Sequence, residues 1–285
     1  MFPQLEDLDP MNDVLFKYIF GSDDRKHITI DFLNAVLNRE GENAIKSITF
    51  QNIEMTPELE NEKFSRIDFF AIIDDNERIN IEVQCMNHRN MVQRSLYYWA
   101  QVFLHNESIK EGQNYIELKP TIAINILNFK FLPLNQTCTA YSLCSEDNHL
   151  HRLTDAMKFY FIEMPKFVKK SFSEMTYFEK WLAFFSKKLT RIEKEEMAVN
   201  APIIQDALKS VSDFRRDSVA LRMYNNRKAA ILDYNTDMIS YRAEGEEKMY
   251  NLFSKLSKAG RTDDLAKILA DKSLLPKFYQ EFGIE

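Results

Sequence analysis

Apolar residues recur at helical spacing over Met11 to Phe20 and again over Lys26 to Leu37, with Ser22 and Asp23 between them as a capping signal. The period then changes. Ile45 to Met55 alternates as a strand, and two runs dense in Ile, Phe and Val follow, Arg66 to Ile73 and Arg78 to Gln84, on either side of Asp74-Asp75-Asn76-Glu77. Two such runs about a short polar turn predict a β-hairpin. Met91 to Asn106 returns to helical spacing, and Thr121 to Leu127, the run TIAINIL, has the β-branched density of a buried strand. Thr137 to Leu143 and Ala156 to Glu163 read as further strands that extend or flank the sheet. From Glu174 the spacing is helical, with an apolar stripe of Phe178, Trp181, Leu182, Phe184, Phe185 and Leu189. Later helices are expected near Pro202 to Ser212, Asp213 to Arg242, Glu244 to Ala259 and Thr262 to Leu269, the last two separated by Gly260 as a helix stop.

The polar residues of the hairpin carry the chemistry. Acids are rare in buried strands unless they have a task, yet Asp68 sits early in the first run, and Glu82 and Gln84 interrupt the end of the second. Side chains alternate faces along a strand, so Glu82 and Gln84 share one face while Ile79, Ile81 and Val83 share the other. In an antiparallel pair the early part of one strand lies opposite the late part of its partner, which brings Asp68 towards Glu82. Two carboxylates and an amide converging there can hold a hard divalent cation such as Mg²⁺.

An Asp on one strand, a turn, and then Glu-x-Lys on the next strand is the pattern of the PD-(D/E)XK nuclease core, with Gln84 here in the usual place of Lys. The chain resembles more specifically the bacterial recombination-promoting nuclease or transposase family, a branch in which Glu-x-Gln is the usual form. The resemblance rests on Asn12 to Gly21 (NDVLFKYIFG), Ser65 to Asp68, Ile79 to Gln84, Arg94 to Trp99, Ile162 to Phe167 (IEMPKF) and the segment from Tyr224 to Tyr241, and so covers most of the chain. It implies an α/β fold with a restriction-endonuclease-like αβββαβ core, a mixed central sheet flanked by helices, and a helical C-terminal extension. The expected division is a nuclease-like domain over 1–170 and a helical region over 171–285.

The resemblance further implies Mg²⁺-dependent (or Mn²⁺-dependent) phosphodiester hydrolysis of DNA by an endonuclease linked to recombination or mobile elements, with double-stranded DNA as the expected partner. Asp68, Glu82 and the Val83 backbone carbonyl would hold the ion, and Gln84 would orient the attacking water. Many such enzymes place an extra acid on a helix before the sheet, the role open to Asp13; the alternative is that Asp13 caps the helix that starts at Val14. Lys17, one turn on, is a candidate phosphate contact. Arg94 and Tyr98, also one turn apart, are expected on an exposed helix edge facing the site, in contact with DNA. A homodimer would supply two sites for two strands.

Composition adjusts this picture in two places. Three cysteines, Cys85, Cys138 and Cys144, without a signal peptide suggest reduced thiols and a cytoplasmic protein, and no apolar run approaches the ~20 residues that span a bilayer. The net charge of −6 argues against a nucleic-acid binder, but Pro165 to Lys228 carries 14 Lys and Arg against 8 Asp and Glu. That imbalance permits a local phosphate-binding face, or simply solvated helix surfaces. The Cys-x5-Cys and His-x-His spacings of Cys138, Cys144, His149 and His151 match no common zinc site. His88 reads as a loop residue beside the site. Two other readings stand beside the nuclease: a catalytically weak or inactive nuclease-fold module that binds nucleic acid or protein, and a helical protein that self-associates through the Trp181 stripe.

Overall fold

A computed structural model describes residues 8–51, 69–87, 90–104, 114–115 and 118–284. Two helices, α1 (Asp13–Phe20) and α2 (Lys26–Leu37), precede β1 (Ile48–Phe50), β2 (Phe69–Ile73) and β3 (Glu77–Gln84). Helix α3 (Met91–Leu104) then leads to β4 (Thr121–Leu127), β5 (Cys138–Ser142) and β6 (Met157–Glu163). The strands form a six-stranded sheet in the order β1-β2-β3-β4-β6-β5. β1, β2 and β3 pair antiparallel, β3, β4 and β6 pair parallel, and β5 closes the far edge antiparallel to β6. This is the expected mixed sheet. The parallel step from β3 to β4 needs a crossover, and α3 supplies it.

The hairpin turn follows from its sequence. Asp74 (φ 48°) and Asp75 (φ 55°) are both left-handed, and Asn76 N donates to Ile73 O at 3.0 Å. That is a type I′ geometry, whose twist suits a tight hairpin and which Asp tolerates better than most residues. Asp74 Oδ1 also accepts from Lys46 N at 2.9 Å and Ser47 N at 2.8 Å, joining the turn to the approach of β1. β1 begins later than its alternation predicts because the Asn34 side chain takes both backbone groups of Ile45, at 2.8 and 3.2 Å. Residues 52–55 of the expected strand lie outside the described residues.

Beyond β6 the chain continues as α4 (Tyr177–Ser186), α5 (Arg191–Asn200), α6 (Pro202–Arg216), α7 (Ser218–Lys258), α8 (Thr262–Ala270) and α9 (Leu275–Glu281). α4 and α5 each open with a capping box, Thr176 with Glu179 and Thr190 with Glu193. α5 escapes the hydrophobic pattern because its sequence, RIEKEEMAVN, is mostly charged; the T-x-x-E signal at Thr190 marks its start. The helices expected over 213–242 and 244–259 are one helix. The break lies instead at Asp217, whose side chain accepts from Val219 N and Ala220 N, both at 3.0 Å. Pairs one turn apart, Arg242 with Glu246 and Glu244 with Lys248, both at 2.9 Å, carry α7 past Gly245.

The chain divides into two compact units, the first ending at Tyr224 and the second spanning Asn225–Glu285. In the first, Ile79, Ile81, Val83, Ile122, Ile124 and Ile126 form the apolar face of the sheet and share a core with α1, α2, α4, α5 and α6. Phe16, Phe20, Phe32, Trp181 and Phe185 interlock there, with ring centroids 4.6 to 6.1 Å apart. The Trp181 stripe is therefore spent on the protein's own core, which removes the basis for self-association through it. Asp31 ties α2 to α4 by accepting from Tyr177 Oη at 2.8 Å and Trp181 Nε1 at 3.0 Å; burial pushes its carboxyl above the ordinary range. The second unit has a small core of its own, Leu252, Leu256, Ile268 and Phe278. Among the described residues, no helix is long and apolar enough to cross a membrane.

Candidate active site on the polar face of β3

Strand β3 is buried on both faces, and the face under α3 is polar. Arg78, Asn80, Glu82 and Gln84 alternate with the Ile and Val residues of the core, and all four are buried. They form a polar ribbon between two apolar patches that α3 covers, Phe70 with Tyr98 and Val102 on the β2 side, and Ala123, Leu127, Phe159 and Phe161 with Met91 and Trp99 on the β4 side. The buried residues of α3 lie at 91, 95, 98, 99 and 102, a helical stripe that meets this surface.

Polar contacts fix α3 along its length. At its C-terminal end the Arg78 guanidinium donates to Val102 O at 3.2 Å and Phe103 O at 2.6 Å, carbonyls that a helix end leaves without internal partners. Burial lowers the pKa of Arg78, yet an arginine this basic keeps its charge. Trp99 Nε1 donates to Thr121 O at 2.9 Å, and Ser95 Oγ to Asn125 Oδ1, also at 2.9 Å. Asn125 is the direct neighbour of Glu82 across the parallel β3–β4 ladder. Arg94 is thereby held over the end of β3.

Glu82 is 1% exposed. Its Oε2 accepts from Gln84 Nε2 at 3.3 Å and stands 3.7 Å from an Arg94 terminal nitrogen. The parity expectation for Glu82 and Gln84 holds in this geometry. The expected exposed edge of Arg94 and Tyr98 does not: Tyr98 is 3% exposed and packs on Phe70, because the helix lays that side against β2. Arg94 keeps 20% of its side chain exposed, with the guanidinium carbon 5.0 Å from the centre of the Tyr98 ring.

Other site candidates fall as follows. Asp68 and His88 lie outside the described residues; the β2–β3 register is described as far as Phe69 opposite Ile81, the residues that adjoin Asp68 and Glu82 in sequence. The cap of α1 is Asn12, which accepts from Val14 N at 3.1 Å and Leu15 N at 3.4 Å, so the capping role expected of Asp13 belongs mainly to its neighbour. Asp13 Oδ1 accepts from Val14 N at 2.9 Å. The start of α1 is anchored near the end of β3, where Cys85 Sγ donates to Met11 O at 3.2 Å. Lys17 is exposed on α1. Val83 points its side chain into the apolar core opposite Ile126.

The donor set suits a hard cation. Glu82 offers a carboxylate and Gln84 an amide oxygen, while the buried Asn80 Oδ1 has no hydrogen-bond partner. Among the described residues no three His, Cys, Asp or Glu side chains cluster as an ion site, and this includes Cys138, Cys144, His149 and His151. Burial pushes the Cys138 thiol up to about 11. Several residues of the basic stretch are held in ion pairs: Lys169 with Glu193 at 2.5 Å, Lys170 with Glu179 at 2.6 Å, Lys187 with Asp9 at 3.0 Å and Arg216 with Asp213 at 3.4 Å. Sequence reasoning missed Arg78 and Asn80, although the parity that paired Glu82 with Gln84 also puts them on that face.

No curated protein and no solved structure matches the chain. A family model does, over residues 10–240, a span that takes in the whole sheet, α3 and the polar ribbon of β3. The chain belongs to the PD-(D/E)XK nuclease family transposases.

Proposed function

We propose that the protein is a Mg²⁺-dependent DNA endonuclease whose metal carboxylates are Asp68 and Glu82. The observation that carries this reading is Glu82 itself: a carboxylate buried beside Gln84 and Arg94, on a strand whose other face is core, where burial of an acid is costly unless it has a task. Asp68, Glu82 and the Val83 carbonyl would hold the ion. Bound there, the ion would supply a water of lowered pKa and neutralise charge on the scissile phosphate. Gln84 would orient that water through its amide. Unlike a Lys, it adds no positive charge, so cleavage leans more heavily on the metal.

Asp13, at the start of α1, takes an outer role beside the metal, while Lys17, Arg94 and Tyr98 belong to the DNA-facing side of the site, Tyr98 by supporting Arg94. Double-stranded DNA and a link to recombination or mobile elements agree with the family, and a homodimer would present two such sites to two strands. In this reading residues 1–170 form the nuclease-like domain and residues 171–285 the helical C-terminal region of a cytoplasmic protein.

Purified protein should nick supercoiled plasmid in Mg²⁺ or Mn²⁺, and Asp68→Ala should lower the rate at least about a hundredfold, as loss of a metal-stabilised transition state does. Equal nicking by the variant would sink the proposal. One observation favours a second reading, an inactive module that binds nucleic acid or protein: Arg94 already sits as a cation beside Glu82. Calorimetry separates the two, since the module would bind no divalent ion.

A further inference from the structure

Arg94 is placed as no simple structural ion pair would be. Its terminal nitrogen lies 3.7 Å from Glu82 Oε2, within Coulombic reach and beyond hydrogen-bond length. Its Nε has no hydrogen-bond partner. The guanidinium carbon lies over the Tyr98 ring, 5.0 Å from its centre, a contact that restrains the group without a hydrogen bond. The helix beneath is held by Ser95, Trp99 and Arg78, so the Arg94 side chain can turn without moving it. Its remaining exposure gives it a path outward, whereas Glu82 has none.

We propose that Arg94 is an exchangeable counter-ion that couples metal binding to DNA binding, an inference that rests on the metal reading given above. Without DNA, the guanidinium sits against Glu82 and opposes a divalent ion by like-charge repulsion. A phosphodiester offers Arg94 a better partner, because its planar fork makes charge-assisted bonds to phosphate oxygens that it does not make to Glu82 here. Turning to the phosphate withdraws the guanidinium charge from Glu82 and so favours the ion there. Metal and DNA then each favour the other's binding by the same factor.

Isothermal calorimetry with Mn²⁺ tests this on the full chain, with and without a short DNA duplex bearing cleavage-resistant phosphorothioate linkages. For the wild type, the duplex should tighten Mn²⁺ binding on the order of tenfold, within the usual range of coupling between sites. Arg94→Gln should bind Mn²⁺ more tightly than wild type without DNA, and the duplex should no longer improve it. Arg94→Lys keeps the charge and should bind Mn²⁺ without DNA as weakly as wild type, which separates a charge effect from damage to the fold. If Arg94→Gln binds Mn²⁺ no more tightly than wild type while Glu82→Gln abolishes binding, the counter-ion role is overturned and the metal site stands. If wild type and Glu82→Gln bind Mn²⁺ equally or not at all, the metal site fails and the counter-ion role fails with it.

Discussion

Along β3, the core-facing Ile79, Ile81 and Val83 and the α3-facing Arg78, Asn80, Glu82 and Gln84 are all buried, yet they stand in different media. The first three meet aliphatic and aromatic side chains from helices on one side of the sheet. Of the other four, Arg78 meets helix-end carbonyls, and Glu82 meets Gln84 and Arg94. Burial of the apolar set is stabilising in proportion to area removed from water. Burial of the polar set is at best neutral unless each group is paired, and Asn80 Oδ1 is not. One face of the strand thus holds the fold together while the other keeps polar and charged groups buried at the candidate site. Exposure alone would not distinguish them.

Substitutions can break this contrast, and the largest effect belongs to the apolar face. Ile81→Ala removes a fully buried side chain from the middle of the core and should destabilise the protein by about 3 kcal/mol, measured by denaturant unfolding of the first unit. A loss below about 1 kcal/mol would mean that this face is less tightly packed than its burial indicates. Next comes Arg78→Met, which leaves the Val102 and Phe103 carbonyls without their donor; about 2 kcal/mol should be lost. That residue tests whether part of the polar face is structural after all. The smallest change is expected for Glu82→Gln. The buried charge disappears, Gln84 keeps an acceptor, and Arg94 can reach water, so stability should shift by less than about 1 kcal/mol in either direction. A loss of several kcal/mol would place Glu82 with Arg78 as a structural group.

Much of this contrast was legible before any coordinates, because a period of two needs no tertiary information. β4 is found at the expected residues, Thr121–Leu127, since a run of β-branched residues admits little else. The pairing of Glu82 with Gln84 followed from the same alternation. What could not be read depends on partners distant in sequence. Nothing local to Tyr98 says that Phe70 will cover it, and nothing local to Ile45 says that Asn34 will take its backbone. Helix ends failed for a different reason. The break expected between Arg242 and Glu244 is bridged by ion pairs one turn apart, whereas the Asp217 cap that does divide α6 from α7 sits in a run of charges that hides it.

The turn at Asp74 and Asp75 has a consequence for folding fidelity. By fixing where β3 begins against β2, it decides which of two alternate sets of side chains enters the core. A shift of one residue would drive Arg78 and Glu82 among the isoleucines and turn Ile79 and Ile81 towards Arg94. Misregistered chains would therefore be rejected by the energetics of burying charge, and the charged residues of β3 act as proofreaders of its assembly.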